Sequence, residues 1–281
     1  RSRRNGGRAT LVLWEQFAYY DPMAETLYDI DGDGIAVITI NNPRRRNAMT
    51  YPMIEQLYEG LQRASDEARV VIIIGEGDAF CAGIDLNFLA NIPPEERGIK
   101  VPPHDADGWW NITSCPLPVI AAVDGPAVGM GAEWTSHCDV RIATNRARFA
   151  WNFSHRGLVP DTGAGTWLLP RQIGLQNALR LLYSGDWLDA EAALKLGYVC
   201  EIVEPDDLLS VAKEEARRYL LGAPSSHRLT KRLLYEGLHL PVAEHQAISR
   251  QILLDCFESK EHLEGLTAFN EGRTPSFKDL K

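Results

Sequence analysis

Two short runs of small residues, Phe80-Cys81-Ala82-Gly83-Ile84-Asp85-Leu86 and Ala127-Val128-Gly129-Met130-Gly131-Ala132-Glu133, each follow an apolar stretch and lead into a helix-forming one. A turn between a buried strand and a helix start leaves backbone N–H groups without intrahelical acceptors, and such groups can bind negative charge as it develops. Two of them in one chain predict an oxyanion hole. Taken singly, each would also serve as a strand-to-helix turn that merely packs. The cluster Arg44-Arg45-Arg46 can hold a phosphate. Asp31-Gly32-Asp33-Gly34 has calcium-loop residue types but lacks the later Glu and the full ligand spacing, so it predicts the tight turn of a hairpin formed by 27–30 and 35–40.

The elements around these turns alternate. Ile54, Leu57, Leu61 and Ala64 recur at helical spacing, and 70–74 is a continuous apolar run closed by Gly75, the pattern of a buried parallel strand. A second run over 118–123 leads into the second turn, and a third, 140–143, follows a helix predicted over 131–138. Both turns therefore follow sheet strands, where α/β proteins collect ligands. From about residue 204 the pattern becomes helical, with amphipathic stretches at 206–221 and 243–258 that read as a C-terminal appendage.

At 281 residues, 45% hydrophobic and 24% charged, the chain can bury one large core, or a domain with a smaller appendage. It contains no apolar run near the roughly 20 residues of a membrane span and no signal-peptide order at its start, so a soluble, cytoplasmic protein is expected. Residues 1–22 read as a processed or trimmed extension. The five cysteines (Cys81, Cys115, Cys138, Cys200, Cys256) stand singly among apolar residues, as reduced core thiols do, and no structural metal is expected. A net charge of −9 disfavours nucleic acid as a partner.

Over 25–278 the chain resembles the crotonase, or enoyl-CoA hydratase/isomerase, superfamily. Besides the two turns, the resemblance rests on Asn42-Pro43-Arg44-Arg45-Arg46-Asn47-Ala48, Pro118-Val119-Ile120-Ala121-Ala122-Val123-Asp124-Gly125, Cys138-Asp139-Val140-Arg141 and Gly157-Leu158-Val159-Pro160. It continues through Ala190-Glu191-Ala192, Leu196-Gly197-Tyr198-Val199, Glu264-Gly265, Ala268-Phe269, Arg273 and Phe277. It implies an α/β, ClpP/crotonase-like core of repeated ββα turns over 23–203 and a helical trimerisation region over 204–281. It also implies a homotrimer or dimer of trimers that binds an acyl-CoA thioester in a bent shape. Coenzyme A would come as part of the substrate, with no permanently bound cofactor and no nucleic-acid or membrane partner.

By the same resemblance, the thioester oxygen sits between the amides of Ile84 and Met130. Arg44, Ala48, Ala82 and Arg273 line the nucleotide, and the family's usual Lys beside that Arg is here Gly272. Hydration of a 2-enoyl thioester needs two tuned carboxylates. Glu133 occupies the first family position, in an apolar neighbourhood that would raise its pKa; alternatively it is an acid serving a helix N-terminus. The second position is Phe153, which moves no proton, and Asp161 is the nearest replacement unless it is a helix N-cap. His155 with Asp161 loosely echoes a β-diketone hydrolase branch. Trp109, Trp110, Trp151, Phe153 and His155 are expected around the acyl pocket, with 91–107 as a lid, although core packing explains lone aromatics equally well. Hydratase is the leading expectation. Enoyl or dienoyl isomerase, β-diketone hydrolase and a non-enzymatic RNA-binding or scaffold role are the alternatives.

Overall fold

The computed structural model describes residues 25–93, 111–160 and 162–277. Trp109, Trp110, Asp161 and most of the expected lid lie outside them. The expected hairpin is present: β1 (Glu25–Ile30) pairs antiparallel with β2 (Ile35–Asn41). Asp31 Oδ1 accepts the Asp33 and Ile35 amides at 3.1 and 3.0 Å, so its oxygens close the turn.

There follow α1 (Tyr51–Glu67), β3 (Val70–Gly75), α2 (Leu86–Ala90), α3 (Asn111–Ser114), β4 (Val119–Val123), β5 (Pro126–Val128) and α4 (Met130–His137). Next come β6 (Val140–Thr144), β7 (Arg148–Ala150), α5 (Ala164–Trp167), α6 (Leu169–Ile173), α7 (Leu175–Ser184), β8 (Leu188–Asp189), α8 (Ala190–Lys195) and β9 (Glu201–Val203). The large sheet has the order β1-β2-β3-β4-β6-β9 and is parallel from β2 onward, while β5, β7 and β8 form a smaller sheet. The isolated parallel bridges Met49–Ile84 and Cys81–Ala127 repeat, in the same layer, what β5 and β7 do. A strand of the large sheet, a short extended piece of the second layer and a helix thus recur along the chain.

The period of two along each strand divides the core. Ile35, Val37, Val70, Ile72 and Ile120 face α9 (Leu208–Leu220), which contributes Leu208, Ala212 and Ala216. Ile38, Ile40, Val71, Ile73 and Ala121 join a larger cluster with residues of α1, α4 and the small sheet. Burying each Ile or Val contributes about 1.5–3 kcal/mol, which holds the sheet without cross-links.

α10 (Pro224–Gly237), α11 (Val242–Phe257) and α12 (Lys260–Glu271) complete the chain. α10 and α11 bury no residue, and Leu254, Phe257, Leu263, Leu266 and Phe269 are exposed. No helix among the described residues is long and apolar enough to cross a membrane. Among the cysteines, Cys81, Cys115 and Cys138 are buried and Cys256 is half-buried, whereas Cys200, just before the edge strand β9, is exposed. The expectation of five core thiols fails at Cys200, beside the sheet edge, and at Cys256, on a helix that buries no residue.

Candidate active site

The two small-residue turns meet backbone to backbone. Gly83 has φ +89°, and a Cβ there would lie 2.7 Å from the Val128 carbonyl oxygen and 3.6 Å from the Met130 nitrogen. A Cβ on Gly131 would collide with the Cys81 carbonyl oxygen and stand 2.8 Å from Cys81 Cβ. Only glycine permits this approach. The turns are fixed by single rungs: Met49 N–H to Gly83 O (2.8 Å), Val128 N–H to Cys81 O (2.9 Å) and Gly129 N–H to Ala150 O (2.8 Å). Among the described residues, the amides of Ile84 and Met130 donate to no carbonyl or side chain. Met130 is the first residue of α4, after Gly129 at φ 54°, so the positive end of the helix dipole adds to its amide.

Glu133, one turn into α4, is fully buried. Its Oε2 accepts from Thr162 Oγ1 at 2.7 Å, and Oε1 lies in the space that a Cβ on Gly165 would crowd. His137 lies four residues on along the same helix face. Its Nε2 is 3.0 Å from Thr162 Oγ1 and its Nδ1 2.8 Å from Thr113 Oγ1. Complete burial pushes the imidazole pKa down to about 3, so the ring is neutral. Sequence reasoning missed Thr113, His137 and Thr162. The Glu133–His137 spacing was a usable signal for the histidine; the two threonines gave none.

The other wall differs from expectation. Trp151 does not line a pocket: it is sealed in the core, stacked on Phe149 at 6.5 Å and edge-on to Tyr198 at 5.4 Å. Phe153 does lie beside the second turn, its Cζ 3.9 Å from where a Cβ on Gly129 would be. His155 is exposed and turns to the end of α7, with Nε2 2.6 Å from Ser184 O, rather than toward Glu133. Asp161, which would complete a pair with Glu133, is outside the described residues. The N-cap residue of α5 is Gly163.

The expected nucleotide residues converge in part. Asn47, buried at φ 57°, donates to the Glu76 and Ala79 carbonyls at 2.9 and 2.6 Å and pins the 42–48 loop. Ala82 N–H donates to Arg46 O at 2.9 Å, which brings Ala48 and Ala82 to the edge of the turn that carries Ile84. Arg44 is exposed at this edge. Arg45, one of the cluster read as able to hold a phosphate, pairs at 3.1 Å with Asp85, the buried N-cap of α2, whose charge needs a partner. Arg273 commits its guanidinium to Glu264 (2.6 and 3.0 Å) and Glu271 (2.6 Å). Among the described residues, no group of three or more His, Cys, Asp or Glu is placed to hold a metal ion.

Comparison with known proteins agrees with this architecture. The family model for enoyl-CoA hydratase/isomerase matches residues 31–280. A probable enoyl-CoA hydratase of Rhodobacter capsulatus is 35% identical over 254 residues, covering 89% of this chain and 96% of its own. A crotonyl-CoA hydratase of Syntrophomonas wolfei is 34% identical, covering 86% and 94%. Among solved structures, an enoyl-CoA hydratase of Bacillus anthracis superposes with TM-score 0.82 at 31% identity, over 90% of this chain and 99% of that one. One of Mycobacterium smegmatis does so with TM-score 0.82 at 28%, over 92% and 99%. The ββα repetition is therefore the crotonase fold, and the chain belongs to the enoyl-CoA hydratase/isomerase family.

Proposed function

We propose that this enzyme hydrates a 2-enoyl-CoA thioester. The observation that carries the reading is the junction of the two turns, which leaves two amides without acceptors beside a buried carboxylate. The thioester oxygen takes the place between Ile84 and Met130. Water adds through its oxygen to the β-carbon, Glu133 takes the proton it loses, and the electron pair of the double bond moves onto the thioester oxygen as an enolate. The α-carbon then accepts a proton, a task we assign to Asp161 because Phe153 has none to give. Each amide lowers the barrier by about 3 kcal/mol if it matches the donors of other oxyanion holes.

Ala48, Ala82 and Arg44 hold the nucleotide of coenzyme A, and Arg273 reaches a phosphate only by exchanging its carboxylate partners. Coenzyme A is part of the substrate and not a resident cofactor. The apolar residues exposed on α11 and α12 support assembly as a homotrimer or dimer of trimers, and acyl-chain metabolism in the cytoplasm is the setting this implies. A net charge of −9 argues against a nucleic-acid role.

The test follows the conjugated absorbance of crotonyl-CoA with the wild type, Glu133→Gln and Asp161→Asn. Wild-type protein should consume the absorbance, and each substitution should lower kcat by about 10²–10⁴-fold, the usual share of a general acid or base. A wild type that leaves crotonyl-CoA unhydrated but interconverts 3-enoyl and 2-enoyl thioesters would instead establish an isomerase.

A further inference from the structure

Glu133 heads a chain of hydrogen bonds whose direction follows from counting protons. An ionised carboxylate only accepts, so the single hydroxyl proton of Thr162 points to Glu133 Oε2 at 2.7 Å. The Thr162 oxygen must then receive from its other two neighbours, the Ala164 amide at 3.4 Å and His137 Nε2 at 3.0 Å. Nε2 therefore carries the ring proton. In a neutral ring this leaves Nδ1 as an acceptor, and Thr113 Oγ1 fills it at 2.8 Å, closer than the His137 carbonyl at 3.3 Å. All four residues are buried. The opposite sense needs a proton on Glu133.

The geometry points to Thr162 and His137, backed by Thr113, as positioning residues that hold Glu133 in one rotamer and in its ionised form. The inference rests on Glu133 being the base of the proposed hydration. A hydroxyl donor favours the charged carboxylate, while a neutral imidazole orders that hydroxyl without placing a cation near the base. Of the elements packed on α4, α3, β5 and α5 carry no titratable side chain, whereas Tyr198 and Arg141 bond to it at Thr135 and Ser136. Among the described residues, the titratable group linked to Glu133 through Thr162 is His137, on Glu133's own helix.

The experiment measures crotonyl-CoA hydration against pH for the full chain and for Glu133→Gln, Thr162→Val and Thr162→Ser, together with the ¹⁵N shifts of the His137 ring in the wild type. Thr162→Val should lower kcat about 10–100-fold, the effect of one hydrogen bond to a charged group, with KM within about twofold. Its acidic limb should move up by about one pH unit, because the carboxylate loses a donor. Thr162→Ser, which keeps the hydroxyl, should stay within about threefold of wild type. The ring should show a protonated Nε2 and a bare Nδ1 near neutral pH. A Thr162→Val enzyme with wild-type kcat and acidic limb, beside an inactive Glu133→Gln, overturns the inference alone, as does the Nδ1–H tautomer in the wild type. An active Glu133→Gln overturns the base assignment, and the inference with it. The tautomer is read in the wild type, so the test stands even if Thr162→Val does not fold.

Discussion

The two walls of the site are built differently. On the Glu133 side, Cys81, Gly83, Met130, Glu133, His137 and Thr162 are all nearly inaccessible, and glycines stand where any side chain would collide with a carbonyl or a carboxylate. On the opposite side, the 152–160 segment exposes His155, Leu158 and Val159, and a Cβ on Gly157 would meet nothing within 4 Å. The first wall leaves each atom one position, set by packing and by fixed hydrogen-bond rungs. The second tolerates change. On the proposed reading, a fold built this way keeps its means of stabilising an enolate and lets the partner acid vary, in keeping with a family named for both hydratases and isomerases, with Phe153 where the resemblance implies an acid.

Three measurements press on this contrast. Gly131→Ala should have the largest effect, because its methyl group forces the Cys81 and Met130 turns apart. Steady-state kinetics should show kcat/KM reduced about 10²–10³-fold, as when an oxyanion donor is lost, and thermal unfolding a loss of about 1–3 kcal/mol from overpacking.

Acid should weaken the same wall. The folded pKa of His137 is about 3, against an ordinary 6.5, so between those values the unfolded chain binds more protons. Stability is then complete above pH 6.5 and falls as pH drops toward 3, by about 1.4 kcal/mol per unit from this ring. Urea unfolding at pH 7 and pH 5 should show about 2 kcal/mol of this loss, and His137→Gln should show a shallower slope. Equal slopes would mean that the ring takes up its proton without unfolding.

The smallest effect belongs to the other wall. Gly157→Ala meets no neighbour and strains only a left-handed turn at φ +66°, costing about 1 kcal/mol, and kcat/KM should remain within about twofold. A large loss there would show that the second wall is as closely fixed as the first.

Much of the frame was legible because its signals are local. Apolar runs marked β3, β4 and β6 within a residue or two, and helical periodicity marked α1, α9 and α11. Small residues at 83, 129 and 131 marked the meeting turns, since close backbone approach leaves that trace. Contacts between distant segments left none. Thr113, His137 and Thr162 come together from three parts of the chain, and Arg45 finds Asp85 forty positions away. Trp151 was misplaced for a related reason: an aromatic residue type does not tell which way the ring will turn, and here it packs against Phe149 and Tyr198.

Because the donors at Ile84 and Met130 belong to the main chain, substitution at these two positions does not delete them unless proline is introduced. An exchange of either side chain acts through packing, which at buried Met130 leaves little room, and not by removing the donor itself. At half-buried Ile84 and buried Met130 the amide is thus kept through any such exchange, whatever the new side chain does to the packing.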